Sequence, residues 1–373
     1  MEDLNKIILK RVFAPSVIVG IKFDQWINTL KNNKFSIDLP YIPRAIATTN
    51  YSIYNSLCSF IEHVKFGKQI AKVKHSPPVF ILGHWRSGTT LLQNMLSVDK
   101  QLVTPTTLQV FQPNSFLLNK NLTIKLFGKF LSNTTRPMDN LAANFTDPLE
   151  DEFALCSMTG MSIYMGWAFG KNRDEFEKYL TFNDIDNRQI NIWINALQTF
   201  VKKIVFNDTN RIPLLKSPPH TGKIKYLLEA FPNAKFIKIH RHPFDVFKST
   251  KNMLIKVAPW MQLQHFKEDG LDDLIVNRYK TLHKAFFEQK SLIPENNYCE
   301  ISYKNITQKP LETINKIYTS LNISNFDNFK PELNNYLTSI ESYKKNVYSD
   351  LACDIKKRLK KEWAETFRIW NYD

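Results

Sequence analysis

Glycine is scarce in this sequence, with ten residues in 373, and no stretch is built from glycine and serine. That scarcity excludes flexible linkers and low-complexity architecture, and no internal repeat divides the chain into modules. Cysteine is scarcer still. Cys58, Cys156, Cys299 and Cys353 form no CxxC pair and stand near no histidine at metal spacing, which excludes a disulfide scaffold or zinc ribbon and fits a reduced, cytoplasmic protein. Long apolar runs are missing as well. The N-terminal candidate, Val12 to Ile21, is short and holds Pro15, so neither a signal peptide nor a membrane span is expected. Acidic residues are the minority, 35 against 50 Lys plus Arg, for a formal charge of +15. Such an excess favours anionic ligands, acidic acceptors, nucleic acid or an anionic membrane surface. No basic run is long enough to favour nucleic acid.

What is present suits an enzyme-sized fold: 43% hydrophobic and 13% aromatic content can bury one sizeable core, or a core with a small attached lobe. Residues 1–75 read as a helical N-terminal cap, with Trp26, Ile27, Leu30 and later Ile53, Leu57, Phe60 and Ile61 at spacings of three and four. This stripe is expected to face the core, a membrane-lying or partner-binding face being the alternative. Residues 76–373 are expected to form the main domain, with 100–210 a helical insertion rich in aromatics such as Phe111, Phe116, Phe127, Phe130, Tyr164, Trp167 and Trp193.

The first chemical signal is the apolar run Val79 to Leu82, suited to a buried parallel strand, followed by Gly83-His-Trp-Arg86-Ser87-Gly88-Thr89-Thr90 and a helical segment from Leu91. In a strand–loop–helix of this kind, backbone N–H groups and the positive end of the helix converge on one anion site. The glycines and Thr90 fall where a phosphate-binding GxxxxGK[ST] loop has them, but Thr89 replaces the lysine and the cation has moved to Arg86. A metal-dependent NTPase needs that lysine and a metal-holding acid. Here the later strand Lys235 to His240 ends in His240-Arg241. The loop therefore suits a nucleotide with a short anionic tail and no metal.

The second signal runs from Arg211 to Lys216-Ser217-Pro-Pro-His220, through a helix, to the strand Lys235–His240 and then Arg241-His-Pro243 through Ser249. This is a βαβ unit leading into another helix. It sets Lys216 and Arg241 at strand ends, where open α/β sheets bind ligands. Arg241 and Ser249 can clasp a second, isolated phosphate by a forked guanidinium and a hydroxyl.

Together the Arg86–Thr90 loop and the Arg241/Ser249 pair resemble the two nucleotide motifs of the sulfotransferases that use 3′-phosphoadenosine 5′-phosphosulfate, PAPS. The similarity covers Pro77 to Leu96 and Arg211 to Thr250, and more weakly Tyr303 to Pro310. The resemblance implies that Arg86, Ser87, Gly88, Thr89 and Thr90 bind the 5′-phosphosulfate, and that Arg241 and Ser249 hold the 3′-phosphate. It further implies that Tyr303 lies on the adenine side, that Lys345 belongs to a late basic segment over the phosphates, and that the spent product is PAP. The Lys216 segment resembles that of the tyrosylprotein sulfotransferases, where a lysine helps catalysis. An acceptor oxygen then attacks sulfur in line, and Arg86 and Lys216 stabilise the charge growing on the departing phosphate oxygen.

A general base is harder to place. No Asp or Glu occurs between Asp99 and Asp139, where tyrosylprotein and heparan-type enzymes carry their catalytic glutamate. His220, in a segment similar to the Lys-x-His-Leu-Pro of cytosolic sulfotransferases, and Glu152, in the triplet Glu150-Asp151-Glu152, remain as candidates, with His84 third. The expected fold is a three-layer α/β domain with a parallel sheet of four to five strands flanked by helices. The expected activity is metal-independent sulfuryl transfer to a hydroxyl or amine on a lipid, sugar, phenol or peptide. A P-loop kinase or other nucleotide-binding protein is the alternative. The cytoplasm, with peripheral membrane contact as an option, is the expected location, and the oligomeric state is open.

Overall fold

The structure is a computed structural model that describes residues 17–120, 125, 144–266, 268–341 and 348–372. Lys345, Phe127 and Phe130 lie outside the described residues. The chain divides into two compact units. One comprises Met1–Lys74, Pro105–Phe206 and Met253–Gly270; the other comprises His75–Thr104, Asn207–Asn252 and Leu271–Asp373.

The second unit is built on a five-stranded sheet, β1 (Val79–Leu82), β2 (Leu102–Val103), β3 (Ile212–Lys216), β4 (Lys235–His240) and β5 (Tyr298–Ser302), in the order β2-β3-β1-β4-β5. Every pairing is parallel. Central β1 is apolar throughout and wholly buried, as a strand covered on both faces must be. Its alternate residues point to opposite faces. Val79 and Ile81 join Ile237, Ile239, Cys299 and Ile301 beneath helices α3 (Thr89–Ser97), α9 (Tyr303–Gln308), α10 (Pro310–Ser320) and α11 (Phe326–Ser339). On the other face Phe80 stacks on Phe236 at 5.7 Å and meets Phe231, which ends α6 (Ile224–Ala230). The expected strands at Val79–Leu82 and Lys235–His240 form with those bounds; the two-residue β2 is too short to carry a periodic signal.

That second face also holds four bases, three buried and His240 half-buried. Lys238 lies over the rings of Phe286, from α8 (Leu271–Gln289), and Trp370, just past α12 (Ala364–Ile369). His240 stacks on Trp370 at 4.7 Å, and His84 stacks on His283 at 6.0 Å. His84 Nδ1 donates to Trp85 O and His283 Nδ1 to Tyr279 O, each at 2.9 Å, since a carbonyl can only accept. Burial pushes His84 down to about 3, His240 to about 4 and Lys238 to about 7, and holds His283 well below its ordinary value. All three histidines are therefore neutral at neutral pH.

In the first unit, α1 (Phe23–Asn32) packs along α2 (Ile42–Lys72), where Trp26 Nε1 donates to Thr49 Oγ1 at 2.8 Å. Helices α4 (Glu152–Thr159) and α5 (Asn187–Ile204) follow. The core-facing side of α2 is mostly polar. Glu62 forms a buried ion pair with Lys203 of α5 and accepts from the N–H groups of Leu117 and Leu118 at 2.7 and 3.2 Å. The stripe of Ile53, Leu57, Phe60 and Ile61, expected to face the core, is exposed instead, whereas Trp26 and Leu30 are buried as expected. Helix α7 (Pro243–Met261) contributes residues to both units.

Two outcomes follow from the buried charges. Glu62→Ala leaves Lys203 buried without its counter-charge and two N–H groups without an acceptor, so chemical denaturation should show a loss of about 3–5 kcal/mol. The buried histidines take up protons near pH 6.5 when unfolded but only at lower pH when folded, so their contribution is complete above pH 6.5 and is lost as pH falls toward about 4. Melting temperature measured across that window at constant ionic strength should fall with acidification, and fall less steeply in His84→Asn.

Candidate active site

Because β3, β1 and β4 are adjacent and parallel, the loops after all three emerge on one edge of the sheet. Lys216 pairs with Ile81 and Lys238 with Leu82. With strands about 4.8 Å apart, the end of β3, the loop after β1 and the turn after β4 lie side by side along that edge.

The loop after β1 is held in a conformation that depends on glycine. Gly88 caps α3 with φ +104°, and a Cβ there would stand 2.5 Å from the Tyr303 ring. A Cβ on Gly83 would meet Ser87 Oγ at 2.7 Å and Ile239 O at 2.8 Å. Arg86 itself takes a positive φ of 67°, an uncommon conformation for a residue with a side chain and one often found at functional sites. Ser87 Oγ donates to His84 O at 2.7 Å. Thr221 Oγ1 accepts from Gly83 N at 2.8 Å and so fastens the start of the loop.

The two sequence motifs meet here. Arg86 Nε donates to Ser249 Oγ at 2.9 Å, and Arg241 Nη1 donates to Arg86 O at 3.3 Å. Lys216 Nζ approaches Thr90 Oγ1 at 3.4 Å. The Arg241 guanidinium lies 4.4 Å from the centre of the Tyr303 ring, the same ring that closes on Gly88. One edge thus gathers Arg86, Ser87, Gly88, Thr89, Thr90, Lys216, Arg241, Ser249 and Tyr303. Asp245 stands 3.5 Å from Arg241 and 3.6 Å from Lys248. Such a set of guanidinium, ammonium, hydroxyl and helix N-terminal N–H donors fits a polyanion.

His220 and Glu152 stand in different settings. His220 is buried in the turn after β3, its ring edge-on to Phe80 at 5.4 Å, within the aromatic layer below the sheet. Glu152 belongs to the other unit, where it opens α4 and accepts from Ser162 Oγ at 2.7 Å. Beside it Tyr164 donates to Glu150 and stacks on Trp167 at 4.2 Å, and Phe153 adjoins both rings. His84, neutral and bonded to Trp85 O, supports the loop from below. Two groups went unnoticed in the sequence. Thr221 directly follows His220 and was within reach of the same reading, whereas Tyr348, 3.2 Å from Ser249 Oγ, lies too far along the chain to leave any signal.

Comparison with known proteins agrees with this architecture. Residues 77–328 match the model of the sulfotransferase family. A protein of Mycobacterium bovis named omega-hydroxy-beta-dihydromenaquinone-9 sulfotransferase Stf3 is 32% identical over 364 residues, covering 97% of this chain and 93% of that protein, and its Mycobacterium tuberculosis counterpart matches equally. The crystal structure of sulfotransferase STF1 from Mycobacterium tuberculosis superposes with a TM-score of 0.69 at 14% identity, over 92% of both chains. That of STF9 from Mycobacterium avium gives 0.66 at 16%, over 95% of this chain and 97% of the other. These two likenesses establish the fold, a three-layer α/β sheet flanked by helices. The relative that matches nearly end to end and the family match over most of the chain remove the kinase alternative. The chain belongs to the sulfotransferase family, and its activity is the transfer of a sulfuryl group to an acceptor.

Proposed function

We propose that the sulfuryl donor is PAPS, held at the edge of the sheet, and that the acceptor is a hydroxyl on an apolar lipid of the menaquinone type. The observation that carries the donor assignment is the Arg241–Arg86–Ser249 linkage, which joins a phosphate loop to a second anion clasp in one unit. PAPS, when bound, supplies a sulfuryl group joined to phosphate, with a phosphate oxygen as the leaving atom. Around that position the N–H groups opening α3, with Thr89 and Thr90, orient the anion, while Arg86 and Lys216 supply positive charge where negative charge develops. Arg241 and Ser249 hold the 3′-phosphate. Tyr303 backs Arg241 and faces the adenine side, and Lys345 contributes from the late basic segment. No metal takes part in this scheme.

The acceptor reading is supported by the relative that matches over nearly the whole chain and is named for an ω-hydroxylated dihydromenaquinone. We assign the acceptor side to the aromatic-rich insertion, residues 100–210. Glu152, oriented by Ser162, is the general base in this scheme. His220, one turn past Lys216, is the second reading, but its packing against Phe80 favours a structural role. The enzyme would work in the cytoplasm in contact with the membrane that holds such a lipid.

Calorimetric titration with PAP should show binding unchanged by EDTA, and Arg241→Ala should weaken it by roughly ten- to hundredfold, the worth of a hydrogen bond to a charged group. Binding that requires a divalent cation, or that survives Arg241→Ala intact, would sink the donor assignment. In steady-state assays with an ω-hydroxylated menaquinone, Arg86→Ala and Lys216→Ala should each lower kcat by about 10²–10³. Glu152→Gln should lower kcat by about 10²–10⁴ with little change in PAP affinity, as loss of a general base does. A full effect in His220→Ala with a normal Glu152→Gln would reverse the base assignment.

A further inference from the structure

Helix α2 is inside out. Its core-facing row is mostly polar, Arg44, Thr48, Ser52, Asn55 and Glu62, joined by Cys58 and Ile70, all buried. These polar groups are satisfied within the unit: Arg44 donates to Gln262 O at 2.7 Å, Ser52 to Thr49 O at 2.7 Å, and Asn55 to Val19 O and Ile21 O at 2.8 and 3.0 Å, while Glu62 pairs with Lys203. The opposite row is apolar and open, with Ile46 59%, Ile53 53%, Leu57 58%, Phe60 66% and Val64 69% exposed. Spacings of three, four and seven place these five on one stripe, about 27 Å long at 1.5 Å per residue. A helix whose outer neighbour is water shows the reverse pattern. An apolar row this long and continuous marks an interaction surface.

What lies against it can be read from the charges. From Ile42 to Ile61 the only charged residue is Arg44, which is buried, so the outer side of this stretch carries no charge. Lys65, Lys68 and Lys72 then follow, all exposed, at one end of the stripe. A second helix seated on such a seam would need charged flanking residues to fix its register and orientation, and Ala45, Asn50, Ser56 and Ser59 offer none. Tyr54, exposed on the flank of that stripe, has the apolar body and polar tip that suit a membrane–water boundary.

We infer that this face of α2 seats the protein on an anionic lipid bilayer. The row from Ile46 to Val64 enters the acyl boundary, and Lys65, Lys68 and Lys72 rest on the phosphates of the headgroups. No helix among the described residues is long and apolar enough to cross a membrane, so the contact is one of lying on the surface. The inference rests on the proposed membrane contact and names the surface that makes it. Vesicle binding and sulfation are read separately, so either can fail without the other.

The test is flotation of the purified full-length protein with vesicles of phosphatidylcholine alone and of phosphatidylcholine with about one-third phosphatidylglycerol. The protein should float with the anionic vesicles. Leu57→Glu, Phe60→Glu and Val64→Glu combined should reduce the bound fraction at least roughly tenfold, with PAP affinity and circular dichroism unchanged because these side chains are on the surface. Lys65→Gln, Lys68→Gln and Lys72→Gln combined should abolish the preference for anionic vesicles and its salt dependence. The inference is overturned if the unaltered protein floats with neither vesicle, or if the glutamate variant floats as well as it does. It is also overturned if ultracentrifugation shows a dimer that the glutamate substitutions dissolve, which would give the face to a second copy.

Discussion

Everything in the sheet-bearing unit depends on β3, β1 and β4 being parallel neighbours. A parallel pair can be joined only by a crossover, so each strand ends in a loop on the same edge, and chain segments more than a hundred residues apart deliver their side chains to one place. The register sets the spacing: Ile81 opposite Lys216, and Leu82 opposite Lys238. A slip of one residue would turn the ammonium of Lys216 to the other face. Gly88 is the second constraint, because its positive φ and the Tyr303 ring beside it together exclude a side chain, and this lets the loop close on the start of α3.

The cations divide by position. At the edge, Arg86 and Arg241 are partly open to solvent and fastened to each other's segments. Below the sheet, burial drives Lys238 down to about 7 and keeps His84, His240 and His283 neutral. Burial thereby weakens positive charge in the layer beneath, which is left largely to aromatic stacking. Arginine is suited to the edge because its guanidinium keeps its charge and offers a planar fork of donors.

The other unit solves a different problem. Its long helix α2 spends its inner side on hydrogen bonds and one buried ion pair, leaving the apolar side outward. The arrangement makes sense if the neighbour on the outside is itself apolar. The aromatic cluster around Tyr164 and Trp167, beside two carboxylates, belongs to this same unit.

Much of the candidate site at the sheet edge was legible in the sequence because it is local. An apolar tetrapeptide, a glycine-punctuated loop and a helix start lie within one short segment, and the Lys216 and Arg241 strand ends fall inside one βαβ unit. Chemistry of that kind is written in consecutive residues, and family resemblance then assigns it. Contacts between distant segments left no such trace: Thr221 fastening Gly83, Tyr348 beside Ser249, His283 under His84. The stripe of α2 is the sharpest instance. Periodicity established that one side of the helix is apolar, but periodicity has no sign, and only the packed structure decided that this side faces outward, because Arg44, Asn55 and Glu62 find their partners inside.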